Sequence, residues 1–133
     1  MMDMETLTQS ATTARSNAYA PYSGFAVGAA ILDENGKVHA GCNVENAAYP
    51  QSQCAEATAI GAMIVAGGKR ITAIAIAGPE GGAPCTPCGG CRQRIREFAS
   101  PDTPVVITAG GKIITRHTLA ELLPESFGPE HLS

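Results

Sequence analysis

Residues 54–66 read CAEATAIGAMIVA, and this stretch constrains the chain more than any other. Its apolar positions fall on every face of a helix, the pattern of an element buried all round. Gly67-Gly68 ends it. The rest of the chain must wrap this helix, and the fold must tolerate Glu56, the only charged residue between Cys54 and Gly67. An ionised carboxylate in an apolar interior costs several kcal/mol unless it is paired, hydrogen-bonded or protonated. Complementing the helix N-terminus explains about 0.3–1 kcal/mol of such a placement. Cys54 lies at the same helix start, where thiolates are also stabilised.

A second cluster of sulfur lies downstream. Cys88 and Cys91 form a CxxC entering a helix predicted over about residues 90–98. That spacing lets two sulfurs reach one zinc ion from a single turn, and Cys54 could supply a third ligand from the facing helix. Three protein ligands leave a fourth position for water, the arrangement of a catalytic site, and a nearby non-ligand carboxylate is then the natural proton carrier. Two alternatives stand beside this. A structural four-cysteine site could recruit Cys42 or Cys85. The run Cys85, Cys88, Cys91 also matches the start of an iron–sulfur pattern, although Arg92, Gln93 and Arg94 follow where a fourth cysteine would be expected. His39, His117 and His131 lack ligand spacing, and surface or hairpin positions are expected for them.

Around these residues the pattern predicts one α/β domain over residues 1–133. Met4, Leu7, Ala11, Ala14 and Ala18 form a helical stripe before Pro21. The run Phe25 to Leu32 meets Asp33-Glu34-Asn35-Gly36, a hairpin signal that should return Val38 to Cys42 antiparallel. Residues 43–53 read as a loop, Ile71 to Ala77 as a central strand covered on both faces, and residues 78–87 as a Pro- and Gly-rich loop. Strands over Val105 to Thr108 and Lys112 to Thr115 and a short helix over Leu119 to Leu123 complete a mixed sheet flanked by helices. With 44% hydrophobic and 16% charged residues the 133-residue chain is globular, and its net charge of −3 argues against nucleic-acid or anionic-membrane partners. MMDMETLTQS lacks the features of a signal peptide, so a soluble, cytoplasmic protein is expected.

These motifs resemble a known family. Cys54-Ala-Glu56 opening one helix and Pro87-Cys-Gly-Gly-Cys91-Arg-Gln opening another are similar to the zinc-dependent cytidine deaminases. Tyr22-Ser-Gly-Phe25-Ala-Val-Gly28-Ala-Ala30, then Gly41-Cys-Asn43-Val-Glu45-Asn46-Ala-Ala-Tyr49-Pro50, and Leu122-Leu-Pro-Glu-Ser-Phe127 near the end extend the likeness over nearly the whole chain. The resemblance implies a three-layer α/β/α sandwich with a mixed five-stranded sheet, zinc held by Cys54, Cys88 and Cys91, and Glu56 as proton shuttle. It implies hydrolytic deamination of cytidine and 2′-deoxycytidine in pyrimidine salvage. Asn43 and Glu45 would read the ribose 3′-hydroxyl, Phe25 would wall the nucleoside pocket, and backbone groups of Ala55 would help recognise the pyrimidine. A homotetramer is implied, with Phe127 reaching into a neighbouring subunit's site. On residue type alone, Asn43 and Glu45 cap a loop, Phe25 joins the core and Phe127 packs on its own subunit. The chain departs from the family at Ala57, where many members carry Arg; Arg92 and the two helix N-termini would then offset more of the zinc–thiolate charge. The related blasticidin S deaminases also lack that Arg and are the alternative reading.

Overall fold

The computed structural model describes residues 3–132. In chain order the elements are α1 (Met4–Arg15), β1 (Gly28–Asp33), β2 (Val38–Cys42), α2 (Ala55–Val65), β3 (Ile71–Ala77), α3 (Gly89–Phe98), β4 (Pro104–Ala109), β5 (Lys112–Thr118) and α4 (Leu119–Leu122). The strands form one mixed sheet in the order β2-β1-β3-β4-β5. Only β3 and β4 run parallel.

Alternation along β3 explains how the layers stack. Ala73, Ala75 and Ala77 face α1, where they meet Leu7 and Ala11. Ile74 and Ile76 face the other way, into a core with Ala59, Met63 and Ile95 of α2 and α3. Small residues on one face and branched ones on the other give the expected α/β/α sandwich. Two glycines bring the helices close to the sheet. A Cβ on Gly28 would lie 2.1 Å from the Ala11 carbonyl oxygen, and one on Gly41 would lie 2.4 Å from the Ala59 nitrogen. The Gly41 contact seats the N-terminal half of α2 on β2.

Several boundaries differ from the sequence reading, each for a visible reason. Helix α1 stops at Arg15, short of Ala18, because Ser16 Oγ donates to the Thr13 carbonyl (2.6 Å) and Tyr19 N–H donates to Asn43 O (3.0 Å). Strand β1 begins at Gly28 rather than Phe25, since Asn43 binds the backbone of Phe25 and Val27 ahead of it. The hairpin closes with Asp33 N–H donating to Lys37 O (2.9 Å), and Gly36 takes the left-handed conformation (φ 78°). Strand β5 runs on to Thr118, whose hydroxyl then forms a capping box with Glu121 at the start of α4. His39 lies in the hairpin but is buried, its Nε2 donating to Asp33 Oδ2 at 2.7 Å. Helix α2 is not covered all round: Ala55, Glu56, Ala59, Ile60 and Met63 are buried, while Gly61, Ala62, Ile64 and Val65 face outward. One sheet can cover one side of a helix, and the chain supplies no further layer there.

Two outcomes follow for stability. Gly41→Ala forces α2 off the strand and should lower unfolding free energy by roughly 1–3 kcal/mol in urea titration, whereas Gly61→Ala, which meets open space, should not destabilise. Hydrogen bonds from His39 and the backbone amides of Lys37 and Asn35 hold the Asp33 carboxyl below its ordinary range. A carboxyl depressed in the folded state stabilises above its unfolded value of about 4 and loses that contribution as pH falls. Asp33→Asn should therefore flatten the acid limb of a melting-temperature profile.

Candidate active site

Both sulfur-bearing helix starts meet beyond the end of the sheet where β1 begins and β3 ends, with Gly28 paired to Ala77 and to Cys42. Cys54 is the N-cap of α2, Cys88 is the N-cap of α3, and Cys91 stands in the first turn of α3. The Cys54 side chain makes no cap bond to α2, which leaves its sulfur available to a third party. The three Sγ atoms lie within 4.8 Å of one another. Tetrahedral zinc with Zn–S bonds of about 2.3 Å places sulfurs about 3.8 Å apart, so the trio fits one ion with slight closure. Among the described residues this is the only such group of potential ligands; Cys42 on β2 and Cys85 in the loop before α3 stand outside it. The set is thus three cysteines, not the four of a structural or iron–sulfur site.

Charge explains why the group suits a cation. Burial raises the Cys91 thiol well above its usual range, and the neighbouring charge of Glu56 adds to this. Burial likewise raises Cys54. Cys88 moves down, mainly because the Cys91 backbone N–H donates to its sulfur. Thiolates gathered beside a carboxylate repel one another, and a divalent cation reverses that balance by taking the sulfurs as ligands. Glu56 is only 4% exposed, and burial lifts its carboxyl above the ordinary carboxylate range, against smaller opposing effects of its own backbone N–H, the Cys91 side chain and the Arg94 charge.

Beside the sulfurs opens a cavity of about 350 Å³ whose walls include Phe25, Val27, Asn43, Glu45, Ala55, Glu56, Cys85 and Thr86. A larger groove of about 640 Å³ between α1, β2 and α2 is lined by Thr, Ser, Gln, Asn and small residues and holds no acid, base or metal-ligand cluster. The smaller cavity is the one with chemistry. It brings together Cys54, Cys88, Glu56, Ala55, Phe25, Asn43 and Glu45 from the sequence reading, with Cys91 buried behind them. Phe25 is 48% exposed, a wall rather than a core residue. Phe127 is the exception: it is 54% exposed, stacks on His131 and does not line the cavity of its own chain.

Asn43 and Glu45 are partly engaged already, and what remains is informative. Asn43 Oδ1 accepts from Val27 N–H (2.9 Å) and its Nδ2 donates to Phe25 O (2.8 Å), leaving one donor hydrogen and one acceptor lone pair. Glu45 Oε1 accepts from the amides of Tyr22 (2.9 Å) and Ser23 (3.1 Å), and Oε2 accepts from the Ser23 hydroxyl. Of about four acceptor sites on a carboxylate, one is left. A single hydroxyl could donate to the last acceptor site of Glu45 and accept the free amide hydrogen of Asn43.

Two of the three guanidinium nitrogens of Arg92 are spent on backbone carbonyls. Its Nε donates to Pro87 O (2.7 Å) and its Nη1 to Leu122 O (2.7 Å), so it braces the loop before α3 and the segment after α4. Arg94, which residue type alone did not single out, carries the arginine charge that reaches Glu56, and it shares a groove with Ala57. Cys85 and Ser23 also line the cavity unforeseen. For Ser23 a signal existed: a hydroxyl two residues before Phe25, across Gly24, is turn chemistry.

Comparison with known proteins agrees with this geometry. The cytidine and deoxycytidylate deaminase zinc-binding region matches residues 1–108. A cytidine deaminase of Sporosarcina psychrophila is 44% identical over 132 residues, covering 99% of this chain and 96% of the relative. The crystal structure of a cytidine deaminase from Burkholderia pseudomallei superposes with a TM-score of 0.87 at 43% identity, covering 95% of this chain and all of that one. One from Mycobacterium tuberculosis gives 0.80 at 39% identity, over 96% and 99% of the two chains. The site predicts one zinc per chain by elemental analysis, lost in Cys91→Ser and retained in Cys42→Ser. Because the thiols must shed protons to bind, zinc affinity should fall as pH is lowered.

Proposed function

The chain belongs to the cytidine and deoxycytidylate deaminase family, and from that premise we propose that it hydrolyses cytidine and 2′-deoxycytidine to uridine and 2′-deoxyuridine, releasing ammonia. The observation that carries this reading is the convergence of Cys54, Cys88 and Cys91 beside the buried carboxyl of Glu56 at one wall of a cavity.

Zinc, held by the three sulfurs, supplies the Lewis acidity that makes water a nucleophile near neutral pH. The remaining work falls to side chains. Glu56 takes a proton from the attacking water as oxygen bonds to C4 of the ring, and delivers it to N3. It then carries the second proton to the departing amine, which leaves as ammonia while C4 regains its double bond, now to oxygen. A carboxyl raised by burial is matched to receiving and returning protons near neutrality. Phe25 walls the pocket, Ala55 offers backbone groups to the pyrimidine, and the spare donor and acceptor of Asn43 and Glu45 receive the 3′-hydroxyl.

The reading extends to assembly. The outward apolar face of α2, with Val65 91% exposed, and the exposed Phe127 and Tyr49 support a homotetramer in which Phe127 packs into a neighbouring site. Among the described residues no helix is long and apolar enough to cross a membrane; cytoplasmic pyrimidine salvage is the role that fits this substrate.

Glu56→Gln should keep its zinc but lose at least about 10²-fold in turnover, followed as the fall in cytidine absorbance. Retained turnover would remove Glu56 from the mechanism. In a panel of cytidine, deoxycytidine, cytosine, CMP and blasticidin S, the two nucleosides should be turned over best. Preference for cytosine or CMP would overturn the sugar-reading role of Asn43 and Glu45.

A further inference from the structure

We propose that Ser23 is a positioning residue for the sugar-reading corner, its hydroxyl fixing the plane of the Glu45 carboxylate and tying it to the Phe25 wall. This rests on the reading of Glu45 as a sugar contact. The turn that carries Ser23 is held independently of it: Gly24 adopts φ 70° and its N–H donates to Ala20 O at 2.9 Å. That left-handed step folds the chain back so that Ser23 Oγ sits between two functional groups. It donates to Glu45 Oε2 and accepts from the Phe25 N–H at 3.0 Å.

The geometry divides the restraint on Glu45 between its oxygens. Both amide bonds, from Tyr22 and Ser23, go to Oε1. Among the described residues, Ser23 Oγ provides the only side-chain bond to Oε2. With Oε2 unrestrained, the carboxylate can swing about Oε1, and the open lone pairs of Oε2 no longer have a fixed direction. A hydroxyl acceptor must be aimed before the ligand arrives if it is to select among sugar hydroxyls. Phe25 completes the circuit: its N–H is bound to Ser23 and its carbonyl to Asn43. Base wall and sugar reader are therefore one hydrogen-bonded unit, and Ser23 is its joint.

Steady-state kinetics on cytidine and 3′-deoxycytidine test this, since the second substrate lacks the hydroxyl that Glu45 would receive. Ser23→Ala should raise KM for cytidine about tenfold, the size expected for a lost bond to a charged group, with kcat within about twofold. On 3′-deoxycytidine the same variant should differ from the parent by less than about twofold, and Ser23→Thr should restore cytidine binding. An equal penalty on both substrates, or none on cytidine, overturns the role of Ser23. Glu45→Gln on the same pair separates the two layers: if it too fails to discriminate, the sugar-reading assignment itself is wrong and the role of Ser23 falls with it. If Glu45→Gln discriminates and Ser23→Ala does not, only the Ser23 inference is lost.

Discussion

Three thiolates gathered beside a buried carboxylate repel one another, and a cation among them removes that repulsion. Cys54, Cys88 and Cys91 lie within 4.8 Å of one another, and Glu56 beside them is almost wholly removed from water. Burial makes Cys54, Cys91 and Glu56 resist ionising. A divalent ion turns this mutual repulsion into ligation. The two helix N-termini that deliver these groups also add favourable partial charge to an anionic cluster.

The sheet serves this corner through close contact. Gly41 lets α2 sit directly on β2, and the alanine face of β3 admits α1 on the opposite side. Bulkier residues at these places would shift the helix starts, and a misplacement of about an ångström is enough to disable a constellation of this kind. Stability and function are therefore coupled through packing distance. The outward face of α2 shows the other side of the same economy, since a chain of this size covers only part of its most apolar helix.

Much of this was legible in the residue pattern. The lone Glu56 in an apolar helix, the CxxC of Cys88 and Cys91 and the hairpin around Asn35-Gly36 each announce their role through local chemistry, and the structure has all three. What the pattern missed are contacts between distant segments. Arg92 looked available to the thiolates by sequence proximity, yet its guanidinium is engaged by the carbonyls of Pro87 and Leu122. His39 has no ligand spacing and was expected at a hairpin or surface position; its burial depends on Asp33 across the turn. Val65 looked like core because periodicity measures polarity and cannot know how many layers the chain can build.

The sequence by itself determined the ingredients: which side chains can hold a soft divalent ion, which carboxyl can move protons, and where helices and strands begin and end to within a few residues. Those properties are local, set by functional-group chemistry and by the repeat of the backbone. Only the tertiary structure decided that Cys54 joins Cys88 and Cys91 while Cys42 and Cys85 stay apart. It also decided that Asn43 and Glu45 line the same cavity with hydrogen-bonding positions still open. Such choices depend on distances between residues far apart along the chain, and those distances exist only once the helices have closed onto the sheet.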